Sequence, residues 1–244
     1  VSQIAGVGTL GRMMWRKERE NLKMISLSGM KHAAQTYKSF PMYNLPASIV
    51  NTMSLQLPPI MFLAIYDAQT AGLYALAHML VVQPGSVISE SMGQAFLGEA
   101  SKMVREKSNE LSSLYIRTLK DLFSIGVPLI GIPAMFAPFI MPIIFGEAWA
   151  EAGWYCWPLG LMVIVGFAAS PTSKLTIYGY NHWQLMWDVI RVFAILLGFY
   201  GCLLLGLSVI YTLTVYAMIC VVLYFKLIYL NILAINRLEN RLKP

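Results

Sequence analysis

SFPMYNLPASIVNTMSLQLPPIMFLAIY, residues 39–66, and AQTAGLYALAHMLVVQPGSVIS, residues 68–89, hold no Asp, Glu, Lys or Arg, and the single Asp67 parts them. A helix crossing ~30 Å of hydrocarbon needs about 20 mostly apolar residues, so each run is long enough to span a bilayer. Working outward, Leu122–Gly146 and Ala152–Ser173 are two further uncharged runs, joined by an acidic, aromatic turn at Glu147, Trp149 and Glu151. Val192–Phe225 is uncharged too, but as one helix it would be ~50 Å long, too long for one crossing. A break at Gly206-Leu207-Ser208 divides it into a fifth span starting near Gln184 and a sixth ending near Lys226. The expected fold is therefore all-α, a polytopic bundle of about six transmembrane helices.

Composition agrees. Hydrophobic residues make up 57% of the chain and charged ones only 12%, with a mean hydropathy of +0.61, more apolar surface than a soluble core hides. The formal charge of +6 would raise the question of nucleic acid in a soluble protein. Here the distribution decides otherwise. Seven of the eighteen Lys and Arg lie between Arg12 and Lys38, five between Lys102 and Lys120, then come Lys174 and Arg191, and four run from Lys226 to Lys243. The opposite turns carry Asp67, Glu147 and Glu151 and no basic residue. Basic residues are retained on the cytoplasmic face, so both chain ends are expected there, and a nucleic-acid partner is not. Cys156, Cys202 and Cys220 sit in apolar runs, and His32, His78 and His182 are isolated, so neither a disulfide framework nor a metal site is expected. No catalytic constellation and no cofactor motif stands out, and the expectation is a protein that is not an enzyme.

Polar residues within the spans fall on definite faces. At 100° per residue, Gln83, Ser86, Glu90 and Gln94 lie within about 80° of one another on the second span. Asn44, Ser48 and Asn51 share a face of the first. Such stripes line a water-filled path or hydrogen-bond between helices, and the sequence leaves both open. At the start of the fifth span Gln184, Asp188 and Arg191 share a face, and Lys174 ends the fourth. A basic pocket there would suit a phosphate or pyrophosphate head group. Interfacial anchoring is the plainer role and the one the sequence favours. Pro46, Pro58, Pro59, Pro84, Pro128, Pro133, Pro138 and Pro142 interrupt the first three spans, either shaping them statically or letting them bend.

The stretches YNLPASIVNTMSLQLPPIMF (43–62), AGLYALAHMLVVQPGSVISESMGQAFLGEASK (71–102), SSLYIRTLKDLFSIGVP (112–128) and FGEAWAEAG (145–153) resemble the bacterial polysaccharide-biosynthesis flippases, which carry oligosaccharides on a polyprenyl pyrophosphate lipid. Those transporters have about twelve helices in two lobes that rock around a central cavity. The resemblance implies that this chain is the C-terminal lobe of such a flippase in the bacterial inner membrane, serving O-antigen or lipopolysaccharide synthesis. Its implied partners are the lipid-linked oligosaccharide, membrane lipids and the missing N-terminal lobe. Residues 1–40 would be the end of a preceding helix and a cytoplasmic loop, 41–233 the six-helix lobe and 234–244 a cytoplasmic tail. Asn44, Asn51, Gln83, Glu90 and Gln94 would contribute to the lobe interface. A drug or cation antiporter of the same superfamily, which would place a carboxylate deep in a span, and a non-transporting membrane scaffold are the alternatives.

Overall fold

The computed structural model describes residues 39–107 and 110–242. The helix bundle belongs to a compact unit that begins at Tyr43. Helix α1 covers Ser39–Ile65, α2 Ala68–Glu106, α3 Leu111–Gly126, α4 Ile132–Phe145, α5 Ala150–Thr172, α6 Asn181–Leu204 and α7 Val209–Leu242. A π turn at Val127–Gly131 joins α3 to α4 into one span. Among the described residues the fold is all-α, with six spans long and apolar enough to cross a membrane. The reading of residues 1–40 as a helix end and loop, with its seven basic residues, falls up to Lys38 outside the described residues.

The breaks have local causes. Asp67 caps α2, its Oδ1 accepting from the Thr70 N–H at 2.6 Å, and that hydrogen bond holds its carboxyl below the usual range. The long fifth apolar run is interrupted between Leu204 and Val209. There Gly206 takes φ +60°, which a Cβ would disfavour, while the Leu207 N–H bonds to Cys202 O and the Gly206 N–H to Leu203 O. The π turn ends two residues before Pro133, which has no N–H to offer the Leu129 carbonyl inside the turn, so the ordinary ladder cannot close there.

Two helices overrun the spans read from sequence. With 39 and 34 residues, α2 and α7 are ~58 and ~51 Å long, well beyond the hydrocarbon. Rising polarity places the span ends just past Glu90 and near Lys226, but good helix formers carry both helices on. Residues 234–242, assigned to a tail, continue α7. The extension has a use: Glu239 accepts from the Ser112 N–H at 2.9 Å, satisfying a free donor at the start of α3.

Helix α5 is the hub, buried along most of its length, whereas α1 is largely exposed. Small residues make this possible. A Cβ on Gly153 would lie 2.6 Å from the Pro138 Cα and 2.8 Å from the Ala137 carbonyl oxygen, and one on Gly160 would lie 2.7 Å from the Ala134 Cβ. Without hydrophobic drive between helices in lipid, such close backbone approach is a main source of packing energy. Outward, Val87, Ile143, Leu197 and Leu204 are exposed, a surface suited to hydrocarbon.

Candidate functional site

Beside α5 lie two cavities with polar side chains in their walls, and two residues are common to both. The first, about 520 Å³, opens between α1, α6 and the link after α5, and is lined by Ser48 and Asn51, by Ser170, Ser173 and Lys174, and by Gln184, Trp187, Asp188 and Arg191. The second, about 470 Å³, lies against α2 and holds His78, Ser86, Ser89, Glu90 and Gln94, with Tyr216 and Tyr224 of α7. Ser170 and Lys174 line both.

Arg191 organises the first cavity. It sits ten residues into α6, ~15 Å from the start of that helix, and is only 6% exposed. Its Nη2 donates to the Asn51 Oδ1 at 2.6 Å and to the Ser54 Oγ, and stands 3.6 Å from the Asp188 Oδ1. Its guanidinium lies 4.6 Å from the Trp187 ring centroid, a cation–π distance. Trp187 is fixed by its indole N–H, which donates to Leu223 O at 3.0 Å. Asp188 is 2% exposed, and its other oxygen accepts from Gln184 Nε2 at 3.1 Å. Among the described residues the Arg191 Nε and Asp188 Oδ1 have no hydrogen-bond partner. Arg191 thus lines the cavity as a buried cation with one donor, its Nε, left unpaired beneath the surface, and a guanidinium of this kind has the chemistry to bind an anion's oxygens. Asp188 and Arg191, three residues apart on α6, stand close enough to pair and are both buried in the helix packing.

Lys174 is held from behind. Its backbone N–H donates to Asn231 Oδ1 at 3.2 Å, while Asn231 Nδ2 reaches Ser173 Oγ at 3.1 Å and Leu227 O at 2.9 Å. Asn231 is fully buried on α7. Partial burial pushes the Lys174 ammonium below its usual pKa, and none of the described carboxylates forms an ion pair with it. Among the described residues no three His, Cys, Asp or Glu side chains gather at one point.

The sequence candidates thus divide. Asn51, Asp188 and Arg191 meet in the first cavity, Glu90 and Gln94 in the second, and Lys174 joins them. Gln83 is exposed and lines neither, and the side chain of Asn44 lies outside the described residues. A family model described as "Polysaccharide biosynthesis protein" matches residues 10–153. The chain belongs to the polysaccharide biosynthesis protein family. No curated protein and no solved structure matches it. With six spans of membrane length, this family member is a multi-pass membrane protein. The family match ends at Gly153, so it covers the stripe of the second cavity, whereas Lys174, Asp188, Arg191 and Asn231 lie beyond it.

Sequence reasoning passed over Ser54, His78, Ser89, Trp187 and Asn231. Asn231 alone carried a usable signal, as a lone amide on an otherwise apolar helix face among Leu227, Ile228, Leu230 and Ile232.

Proposed function

We propose that this chain is the C-terminal lobe of a flippase that carries a polyprenyl-pyrophosphate-linked oligosaccharide across the bacterial cytoplasmic membrane, forming and breaking no covalent bond in its cargo. The observation that carries this reading is the placing of Arg191 and Lys174 on one cavity of about 520 Å³ inside a bundle of a polysaccharide-biosynthesis family member. The cavity is of ligand size, and two cations against one carboxylate favour a phosphate-type group, while the neutral amides and hydroxyls suit sugar. The second cavity, with Glu90 and Gln94, extends the polar path. An N-terminal lobe would close both from the other side. The test is transport: the complete gene product restores surface polysaccharide to a strain lacking its flippase, and failure to do so at normal membrane abundance sinks the proposal.

In that assay Glu90→Gln keeps the shape and loses only the charge. Glu90 is exposed to the cavity, so membrane abundance stays near the parent level. Polysaccharide per molecule of protein falls roughly three- to ten-fold, the scale of about 1 kcal/mol for one polar contact with cargo. Equal transport per molecule removes Glu90 from the path. A second reading, an ion-driven drug antiporter, draws support from Asp188, a carboxylate buried within a span. Efflux of a cationic dye by the complete protein, with no effect on polysaccharide, would favour it.

The proposed orientation has both chain ends in the cytoplasm, supported by the one-sided Lys and Arg distribution. In a background lacking native cysteines, Cys placed at Ala68, Ala150 or Leu207 reacts with an impermeant thiol reagent from outside the cell. Labelling from outside at Lys107 contradicts it.

A further inference from the structure

Helix α1 makes polar or aromatic contacts with the bundle on both sides of a double proline. Near its C-terminal end Phe62, fully buried, packs with ring centroids 4.9 Å from Tyr74 and 5.1 Å from Phe199, and the Tyr66 hydroxyl lies 2.8 Å from Leu207 O and 2.6 Å from the Thr212 hydroxyl. On the other side of Pro58 and Pro59, among the described residues, the side-chain hydrogen bonds that join residues 43–57 to other helices are donated by Arg191 to Asn51 and Ser54. That half of α1, through Ala47, Ser48 and Asn51, is also a wall of the first cavity. One cation therefore both faces the cavity and holds its wall.

We propose that the N-terminal half of α1 is a movable wall of the cavity, hinged at Pro58–Pro59 and latched by Arg191, and that an anionic group of the phosphate class entering between Lys174 and Arg191 releases it. The chemistry is competition. The Nη2 that serves Asn51 and Ser54 lies on the same planar fork as the unpartnered Nε, and a phosphate oxygen pair takes two parallel N–H donors of one guanidinium. Ligand that captures the fork draws it from α1. The prolines supply the hinge because the carbonyls opposite them have no N–H to hold the helix straight. Occupancy is then coupled to wall position, and the two states differ in who holds Arg191. This rests on the reading of the cavity as an anion site, and the test separates the two.

Spin labels on Ile49 and Met186, both exposed, report the N-terminal half of α1 against α6, and labels on Leu63 and Leu197 report the C-terminal half. The full chain, with Cys156, Cys202 and Cys220 replaced by Ala, is placed in phosphatidylethanolamine–phosphatidylglycerol nanodiscs. A bend of about 20° at the prolines, acting over the ~14 Å to Ile49, moves that label by ~5 Å. Inorganic pyrophosphate shifts the Ile49–Met186 distance by that amount and leaves Leu63–Leu197 in place. Asn51→Ala with Ser54→Ala removes both side-chain acceptors on α1 without touching the buried pair and leaves only the long bond to the Asn51 carbonyl at 3.4 Å; it gives the shifted distance without ligand and binds pyrophosphate roughly three- to ten-fold more tightly, since the latch is weakened. Farnesyl pyrophosphate in the bilayer, compared with inorganic pyrophosphate, separates a lipid-borne from a soluble source of the group. Pyrophosphate that binds by calorimetry without moving Ile49–Met186 overturns ligand release, and a double variant that keeps the parent distance overturns the hinged wall. Absence of pyrophosphate binding in both proteins sinks the anion site, and the distance in the double variant still decides the hinge.

Discussion

Arg191→Ala is expected to remove most of the protein from the membrane fraction. Asp188 is 2% exposed and its Oδ1 faces Arg191 at 3.6 Å, so the substitution strands a carboxylate inside the helix packing and leaves the Asn51 and Ser54 oxygens without their donor. Breaking one side of a buried pair costs about 3–5 kcal/mol, a large part of the ~5–15 kcal/mol that holds a domain together. Removing both charges is a different experiment. Asp188→Leu with Arg191→Met fills similar volume with apolar atoms and should recover abundance, because the pair gives little net stability once desolvation is counted. Transport per molecule should stay low in the double variant, since the cavity has lost its buried cation. The measurement is therefore membrane abundance and thermal unfolding in detergent alongside surface polysaccharide. If Arg191→Ala is as abundant and as heat-resistant as the parent, the pair is not the buried centre described.

How much of this was legible depends on the reach of a sequence window. Span number and the Gly206 break were readable because both depend on residues adjacent in the chain: an uncharged run too long for one crossing, and a glycine where the backbone must turn left-handed. The full length of α2 and α7 was not legible, since polarity marks where hydrocarbon ends and says nothing of where a helix must. The site was half legible. The polar faces were nearly right, yet Gln83 dropped out because the buried side of α2 is set by Gly85 and Gly93, which rest on Phe167 and Pro171. A polarity stripe is blind to the small residues that decide which side of a helix meets its neighbour. The meeting of Asn51 with Arg191 across 140 positions, and of Lys174 with Asn231 across 57, is set by tertiary packing that no window contains.

Gly153→Leu tests that packing at its tightest point. The residue lies near the start of α5, facing α4, and nothing about it is left-handed; only space constrains it. A first methyl alone would sit 2.6 Å from the Pro138 Cα and 2.8 Å from the Ala137 carbonyl oxygen, and backbone atoms cannot swing away as a side chain can. Pro138 restricts α4 further, because its ring fixes φ and its missing N–H already leaves a carbonyl unpaired. To admit leucine, α4 must separate from α5 along the contact that also includes Gly160 and Ala134. Overpacking of this kind costs about 1–3 kcal/mol where neighbours adjust, and the loss of close helix contact adds to it. The expected result is a protein that inserts but melts at lower temperature in detergent and is degraded in cells. Gly98→Leu, on α2 where a Cβ meets nothing within 4 Å, is the matched control and should melt with the parent. Equal melting of Gly153→Leu and Gly98→Leu would mean that α4 is free to move off α5, and that the small-residue contact is not what holds these two helices together.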